Sequence, residues 1–189
     1  QDNIIKNLDF VSKQIGCKNN FLITLNQIHS NKVVHFENKE SIKNKLQGDA
    51  IVTKIKNVAI GILTADCAPI LLYDPVKEII GCIHSGWKGA FNGVIKNTIE
   101  KFKELESNAN DLIVVIGPCI KKENYEVQSD FYKKFILKNS QNKIFFTKTN
   151  HNKYTFDLRN FINQQIFSLN VKNVENIIMD TFDEKEFFY

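Results

Sequence analysis

A turn flanked by two apolar runs fixes the first pairing this chain can make. Ile70 to Asp74 reads as a strand, Pro75 to Glu78 as a turn and Ile79 to Ile83 as a second strand. Antiparallel pairing across such a turn sets the start of one strand beside the end of the other. Just outside the two runs stand Thr64-Ala65-Asp66-Cys67-Ala68-Pro69 and His84-Ser85-Gly86-Trp87-Lys88-Gly89. The hairpin therefore makes neighbours of Cys67 and His84, seventeen residues apart in sequence. Two chemistries use such a pair: a thiolate activated by an adjacent base, or a transition-metal site with soft and borderline ligands. The hairpin alone leaves both open.

The remaining periodicity predicts a mixed α/β chain without repeats or a Pro/Gly linker. Ile4, Ile5, Leu8, Val11 and Ile15 fall at helical spacing over Asn3 to Ile15, with Gly16 as the stop. Strands are predicted at Phe21 to Leu25, Asn31 to Phe36, Ala50 to Thr53, Val58 to Leu63, Asp111 to Ile116, Ile144 to Thr147 and Val174 to Met179. Trp87, Phe91, Val94, Ile95, Thr98, Phe102 and Leu105 form one stripe, which predicts a single long amphipathic helix after His84. Further helices are predicted over Gln128 to Leu137 and after Asp157, which caps a run carrying Leu158, Phe161, Ile162, Ile166 and Leu169.

Composition bounds the function classes. With 189 residues and 43% apolar content, a single domain can bury roughly 70% of its unfolded surface. The net charge of +4 is mild, Arg159 is the one arginine among 25 basic residues, and the lysines are scattered. Nothing here reads as a nucleic-acid arm. Cys17, Cys67, Cys82 and Cys119 form no CxxC pair and no scaffold density, which predicts reduced thiols in a cytoplasmic protein. No apolar window approaches the ~18 residues of a membrane span, and no signal segment opens the chain. The first residue is Gln1, and Phe187, Phe188 and Tyr189 end the chain on an apolar run. We therefore expect residues 1–189 to be one domain lacking native segments at both ends.

The start of the helix after His84 suits an anion. Ser85, Gly86 and Gly89 leave backbone N–H groups unobstructed, the helix dipole favours negative charge there, and Lys88 adds a cation. Two readings stand side by side: a phosphate or other oxyanion docked beside His84, or an ordinary Gly-rich helix start that Ser85 merely caps.

The chain resembles the laccase-domain family, known first as polyphenol oxidases or multicopper oxidases and now regarded as zinc-dependent purine nucleoside phosphorylases with adenosine deaminase activity. The motifs that carry the resemblance come in order: Gln27-Ile28-His29-Ser30, Gly48-Asp49-Ala50-Ile51-Val52-Thr53, Thr64 to Pro69, His84 to Gly89, and Gly117-Pro118-Cys119-Ile120 leading to Tyr125-Glu126-Val127. They cover about Gln27 to Asp157. The resemblance implies that His29, Cys67 and His84 are metal ligands, leaving the fourth tetrahedral position of a catalytic zinc for water or substrate. It also implies an α+β arrangement of packed mixed β-sheets with flanking helices, similar to the cysteine-hydrolase fold. The family's usual His-Ala-Gly-Trp-Arg-Gly reads His-Ser-Gly-Trp-Lys-Gly here, which exchanges a bidentate donor for a point charge. Its Thr-Arg-x-Gly-Gly-type and Ser-Tyr-Arg-Arg-type terminal motifs are not in this sequence.

Other residues rank below these three. Cys82 shares strand parity with His84 but reads as core. His35 lies too far along an extended strand from His29, and His151 sits in a polar loop. Asp66 flanks Cys67 and is either a proton acceptor or a turn residue. Periodicity does not aim Tyr125 and Glu126.

The expected function is thus phosphorolysis of adenosine, inosine or guanosine by a zinc enzyme, with adenosine deamination and methylthioadenosine phosphorolysis alongside. Partners are purine nucleosides and phosphate, with neither nucleic acid nor membrane; the sequence leaves the oligomeric state open. The rival readings are a copper-dependent polyphenol oxidase, a metal-free hydrolase with Cys67 as nucleophile and His84 as base, and a peptidoglycan-editing factor.

Overall fold

The computed structural model describes residues 2–17, 22–38 and 46–183. In chain order it contains α1 (Asp2–Gln14), β1 (Leu22–Thr24), β2 (Val33–His35), β3 (Ala50–Thr53), β4 (Ala59–Gly61), β5 (Ala68–Asp74), β6 (Ile79–Ser85), α2 (Trp87–Asn92) and α3 (Val94–Glu104). There follow β7 (Ile113–Ile116), β8 (Glu126–Gln128), α4 (Ser129–Lys138), β9 (Phe146–Asn150), β10 (Lys153–Phe156), α5 (Leu158–Ser168) and β11 (Asn173–Asn176). The mixed α/β architecture with flanking helices is the one expected. Phe21, at the start of one predicted strand, and the Phe187 to Tyr189 run lie outside the described residues, as do the side chains of Ile4 and Ile5.

The predicted hairpin is the centre of the main sheet. β5 and β6 pair antiparallel from Asp74↔Ile79 to Ala68↔Ser85. Their turn is held by the Asp74 carboxylate, which accepts from the backbone N–H of Val76 at 2.8 Å and of Lys77 at 2.9 Å, an Asx-type turn. Six strands line up as β11-β7-β5-β6-β3-β2, parallel at both ends and antiparallel between.

Side chains alternate across this sheet. One face presents Val52, Ile70, Leu72, Ile83, Val114 and Ile116 to α3 and α5, forming the larger core. The other face turns Ile51 and Cys82 toward Ile23, Leu25 and Phe36 in a smaller core beside the β1–β4 pair. A three-stranded sheet, β8-β10-β9, packs its aromatic residues around α4. Among the described residues no helix is long and apolar enough to cross a membrane.

Several expectations need correction. The stripe after His84 belongs to two helices, because Gly93 takes φ 92°, closing α2 and opening α3. Trp87 and Phe91 thereby pack on Phe131 and Phe135 of α4, while Val94 to Phe102 face the main sheet. α1 forms where predicted, yet Val11 and Ile15 are exposed and Ser12 is buried. Ile144 lies in a 3-10 segment, so β9 begins later than predicted, at Phe146. β8 and β10 were not predicted, and His151 stands in the turn between β9 and β10. The last strand stops at Asn176.

Candidate metal centre

Three segments meet at one end of the β5–β6 hairpin. His84, opposite Pro69 one rung from the end of the β5–β6 ladder, is 4% exposed. Cys67 immediately precedes β5, and His29 stands in the loop between β1 and β2. One ring nitrogen of each imidazole and the thiol sulfur all lie within 4.8 Å of one another. Cys67 Sγ is 3.9 Å from His29 Nε2, and the two imidazole rings stand edge to face with centroids 4.7 Å apart. A tetrahedral zinc with Zn–N ~2.1 Å and Zn–S ~2.3 Å needs ligand atoms about 3.4–3.6 Å apart. The group fits that shell after a small contraction, and its donors, two imidazoles and a thiol, suit zinc or copper. Burial falls from His84 through Cys67 to His29, which is exposed, so the group opens to solvent on the His29 side.

Asp49 lies behind the histidines and is 0% exposed. Its Oδ1 accepts from the backbone N–H of His29 at 2.9 Å and contacts His84 Nδ1 at 2.9 Å. Its Oδ2 accepts from the N–H of Ser30 at 2.6 Å and the Ser30 hydroxyl at 2.7 Å. The Ile28 N–H adds a longer contact of 3.2 Å. Burial alone would raise the carboxyl's pKa, but hydrogen bonds from His84, Ser30 and His29 outweigh it and hold it below the ordinary value. His29 itself sits at φ 56°, a conformation that side chains other than glycine adopt rarely and that clusters at functional sites. The Gln27 side chain ties this loop to the segment before Cys67, donating to Leu63 O and accepting from Leu63 N, both at 2.7 Å.

Burial first, then the charges of Asp66 and Asp49, push the Cys67 thiol up. A nucleophilic cysteine requires the opposite shift, whereas a metal cation would supply the missing positive charge. Of the other thiols, desolvation pushes Cys82 up to about 12 and Cys119, which also feels the Cys67 sulfur, up to about 11. Cys82 is a core residue, as expected.

Gly86 explains why the thiol fits. A Cβ at that position would lie 2.6 Å from Cys67 Sγ and 3.3 Å from His29 Cδ2. Gly86→Ala should therefore displace Cys67 and lower metal affinity by at least tenfold, read by competition against a chelator, with little change in the fold. Unchanged affinity would mean that Cys67 is no ligand.

The other sequence candidates are placed as follows. Asp66 is exposed; its Oδ1 accepts from Thr181 Oγ1 at 3.0 Å and its carbonyl from Ile120 N at 3.0 Å. Ser85 ends β6 with its hydroxyl buried and unpartnered, and Gly86 caps α2. Gly89 is buried close to Ser30 O. Lys88 is exposed, its Nζ 5.7 Å from the Trp87 ring centroid. α2 has only six residues, so its dipole is weaker than that of the long helix predicted. His35 pairs with Glu37 at 3.1 Å. The Tyr125 phenol is raised by burial and then by Cys67 and Asp66, which places it near the thiol, whereas Glu126 pairs with Lys153. Asp49 carried no assigned role in the sequence; the signal was an acid set directly before the wholly apolar run Ala50-Ile51-Val52.

A family profile described as "Multi-copper polyphenol oxidoreductase laccase" matches residues 1–189. A purine nucleoside phosphorylase of Rickettsia conorii is 40% identical over 85% of this chain and 66% of its own length. One of Rickettsia prowazekii is 36% identical over 95% of this chain and 72% of its own. The chain thus spans about two thirds of the length of these curated relatives. Among solved structures, the hypothetical protein YfiH of Bacillus licheniformis has the same fold, with a TM-score of 0.90 at 23% identity over 98% of this chain and 74% of that one.

Proposed function

Because the chain belongs to the multi-copper polyphenol oxidoreductase laccase family, we propose that it is a metal-dependent purine nucleoside phosphorylase with His29, Cys67 and His84 as the ligands of one zinc. The observation that carries this reading is the convergence of two imidazoles and a thiol within 4.8 Å, in a chain whose relatives bear that name. Bound there, the metal would supply Lewis acidity at an open coordination position.

The chain's own residues do the rest. His84 is fixed by Asp49, and Gly86 leaves room for the thiol. The first N–H groups of α2 and Lys88 follow directly on Gly86, so phosphate is assigned to Ser85, Gly86, Lys88 and Gly89. In phosphorolysis a phosphate oxygen bonds to the anomeric carbon as the glycosidic C–N bond breaks, and the purine leaves with a proton. That proton is the one the attacking dihydrogen phosphate brings; Asp66, beside Cys67 and open to solvent, is assigned as the proton acceptor for the attacking water in adenosine deamination. Adenosine deamination and methylthioadenosine phosphorolysis belong to the same proposal, as does a cytoplasmic location.

Copper remains the alternative metal, but a multicopper oxidase needs several sites. Among the described residues His29, Cys67 and His84 form the one group of this kind. The raised Cys67 thiol counts against the metal-free hydrolase.

The test is release of free purine base from adenosine, inosine and guanosine, with and without phosphate, before and after chelation. Base release is expected to need both phosphate and metal. Lys88→Ala should leave metal content unchanged and weaken phosphate several-fold, the loss of a charge-assisted contact worth about 1.5–3 kcal/mol where desolvated, scaled down for an exposed lysine. Base release indifferent to phosphate and chelator would sink the proposal.

A further inference from the structure

We propose that Asp49 is the residue that selects a divalent ion at this centre, positioning both histidines and matching the charge; this rests on the reading of His29, Cys67 and His84 as metal ligands. Five donors close upon its two oxygens: the N–H groups of Ile28, His29 and Ser30, the Ser30 hydroxyl and His84 Nδ1. The Ser30 Oγ accepts from Lys32 N at 3.2 Å, so its own hydrogen points to Asp49. A carboxylate surrounded by donors on both oxygens has no place for a proton of its own. It accepts the Nδ1–H of His84, which leaves the Nε2 lone pair of that ring for the ligand group.

The same oxygens hold the loop in which His29 takes φ 56°. Positioning of the buried ligand and of the exposed one therefore passes through a single side chain.

Charge gives Asp49 its second role. It is 0% exposed, and among the described residues its one ion-pair partner is His84, which is neutral when it serves as a ligand. A divalent ion, the Cys67 thiolate, two neutral imidazoles and the Asp49 carboxylate sum to zero. A monovalent ion in the same shell leaves a net negative charge beside a buried carboxylate, which solvent screens only from the open His29 side. Asp66 also acts on the Cys67 thiol, but it is exposed and partly hydrated, and it is Asp49 that bonds to both histidines. The centre should accordingly favour Zn²⁺ over Cu⁺, although a thiolate and two imidazoles by themselves bind Cu⁺ well.

The experiment is a pair of competition titrations, Zn²⁺ against a zinc chelator and Cu⁺ against a cuprous chelator under anaerobic reduction, on the wild type, Asp49→Asn and Ser30→Ala. Thermal unfolding of the metal-free proteins runs alongside. Asp49→Asn should lose roughly 10–100-fold in zinc affinity and much less in Cu⁺ affinity, so that the Zn²⁺-to-Cu⁺ preference falls at least tenfold. Ser30→Ala keeps the charge and removes one donor: zinc affinity should fall several-fold with the preference unchanged. Cobalt-substituted Asp49→Asn should also show altered d–d bands, which a purely global loss of stability would not produce.

Equal loss of both metals in Asp49→Asn, or zinc affinity within twofold of wild type, overturns the inference. Should Asp49→Asn fail to fold, Ser30→Ala carries the test, and a changed metal preference there overturns it as well. A wild type that binds neither metal overturns the metal reading itself, a result distinct from zinc binding that ignores Asp49.

Discussion

Metal content should fall from about one ion per chain to near zero when His29, Cys67 or His84 is replaced by alanine, because losing one of the three proposed ligands would remove the chelate that holds the ion. The three variants should differ in their effect on the metal-free protein. His84→Ala leaves the Asp49 carboxylate buried with one donor fewer, at a cost of about 1–3 kcal/mol. His29→Ala truncates an exposed ring and should stay within about 0.5 kcal/mol of wild type. Elemental analysis and denaturant unfolding of the three variants check both statements. Cys67 supplies an independent arm. With its thiol pushed up by burial and by Asp66 and Asp49, the metal-free protein should alkylate there more slowly at neutral pH than a free thiol, and bound metal should slow it further. Full metal retention in all three variants, together with rapid inactivation by alkylation at Cys67, would restore the nucleophilic hydrolase.

The part of the site that could be read from sequence is the part that one hairpin creates. Strand parity and a four-residue turn were enough to bring Cys67 beside the β6 end, since the ladder runs without a slip from Asp74↔Ile79 to Ala68↔Ser85. His29 was assigned through the family resemblance alone, because its loop follows β1, a strand that pairs with β4 outside the main sheet. No local pattern predicts that approach. Asp49 went unassigned for a related reason. Its role depends on donors from residues 28 to 30 and from residue 84 meeting across the sheet, and such long-range hydrogen bonds leave no periodicity.

Helix length failed on one residue. The apolar stripe from Trp87 to Leu105 keeps its spacing across Gly93, so periodicity carries no trace of the φ of 92° that divides it. β8 and β10 were missed because Glu126–Gln128 is short and Lys153–Phe156 opens with polar residues; both are recruited by pairing rather than by propensity.

The second large effect lies away from the metal and still bears on it. Phe135, 0% exposed, is the hub of an aromatic cluster, with ring centroids 4.7 Å from Phe91, 4.8 Å from Phe131, 5.0 Å from Phe156 and 5.2 Å from Phe161. These rings come from α2, α4, β10 and α5, so one side chain joins four elements that share no strand pairing with the main sheet. Phe135→Ala should cost about 3–5 kcal/mol through lost transfer energy and the cavity left behind, a large part of the ~5–15 kcal/mol that keeps a domain folded. Leu137, two positions on in the same helix and 89% exposed, provides the control: Leu137→Ala should change stability by no more than about 0.5 kcal/mol. Urea unfolding should show a much lower midpoint for Phe135→Ala at an unchanged slope. Since Trp87, the residue after Gly86, rests on Phe131 at 4.8 Å, saturating zinc should recover part of the loss, about 2.7 kcal/mol at a hundredfold excess over Kd if the folded state alone binds. Equal midpoints for the two alanine variants would show that the cluster does not anchor α2, and with it the start of the helix to which phosphate is assigned.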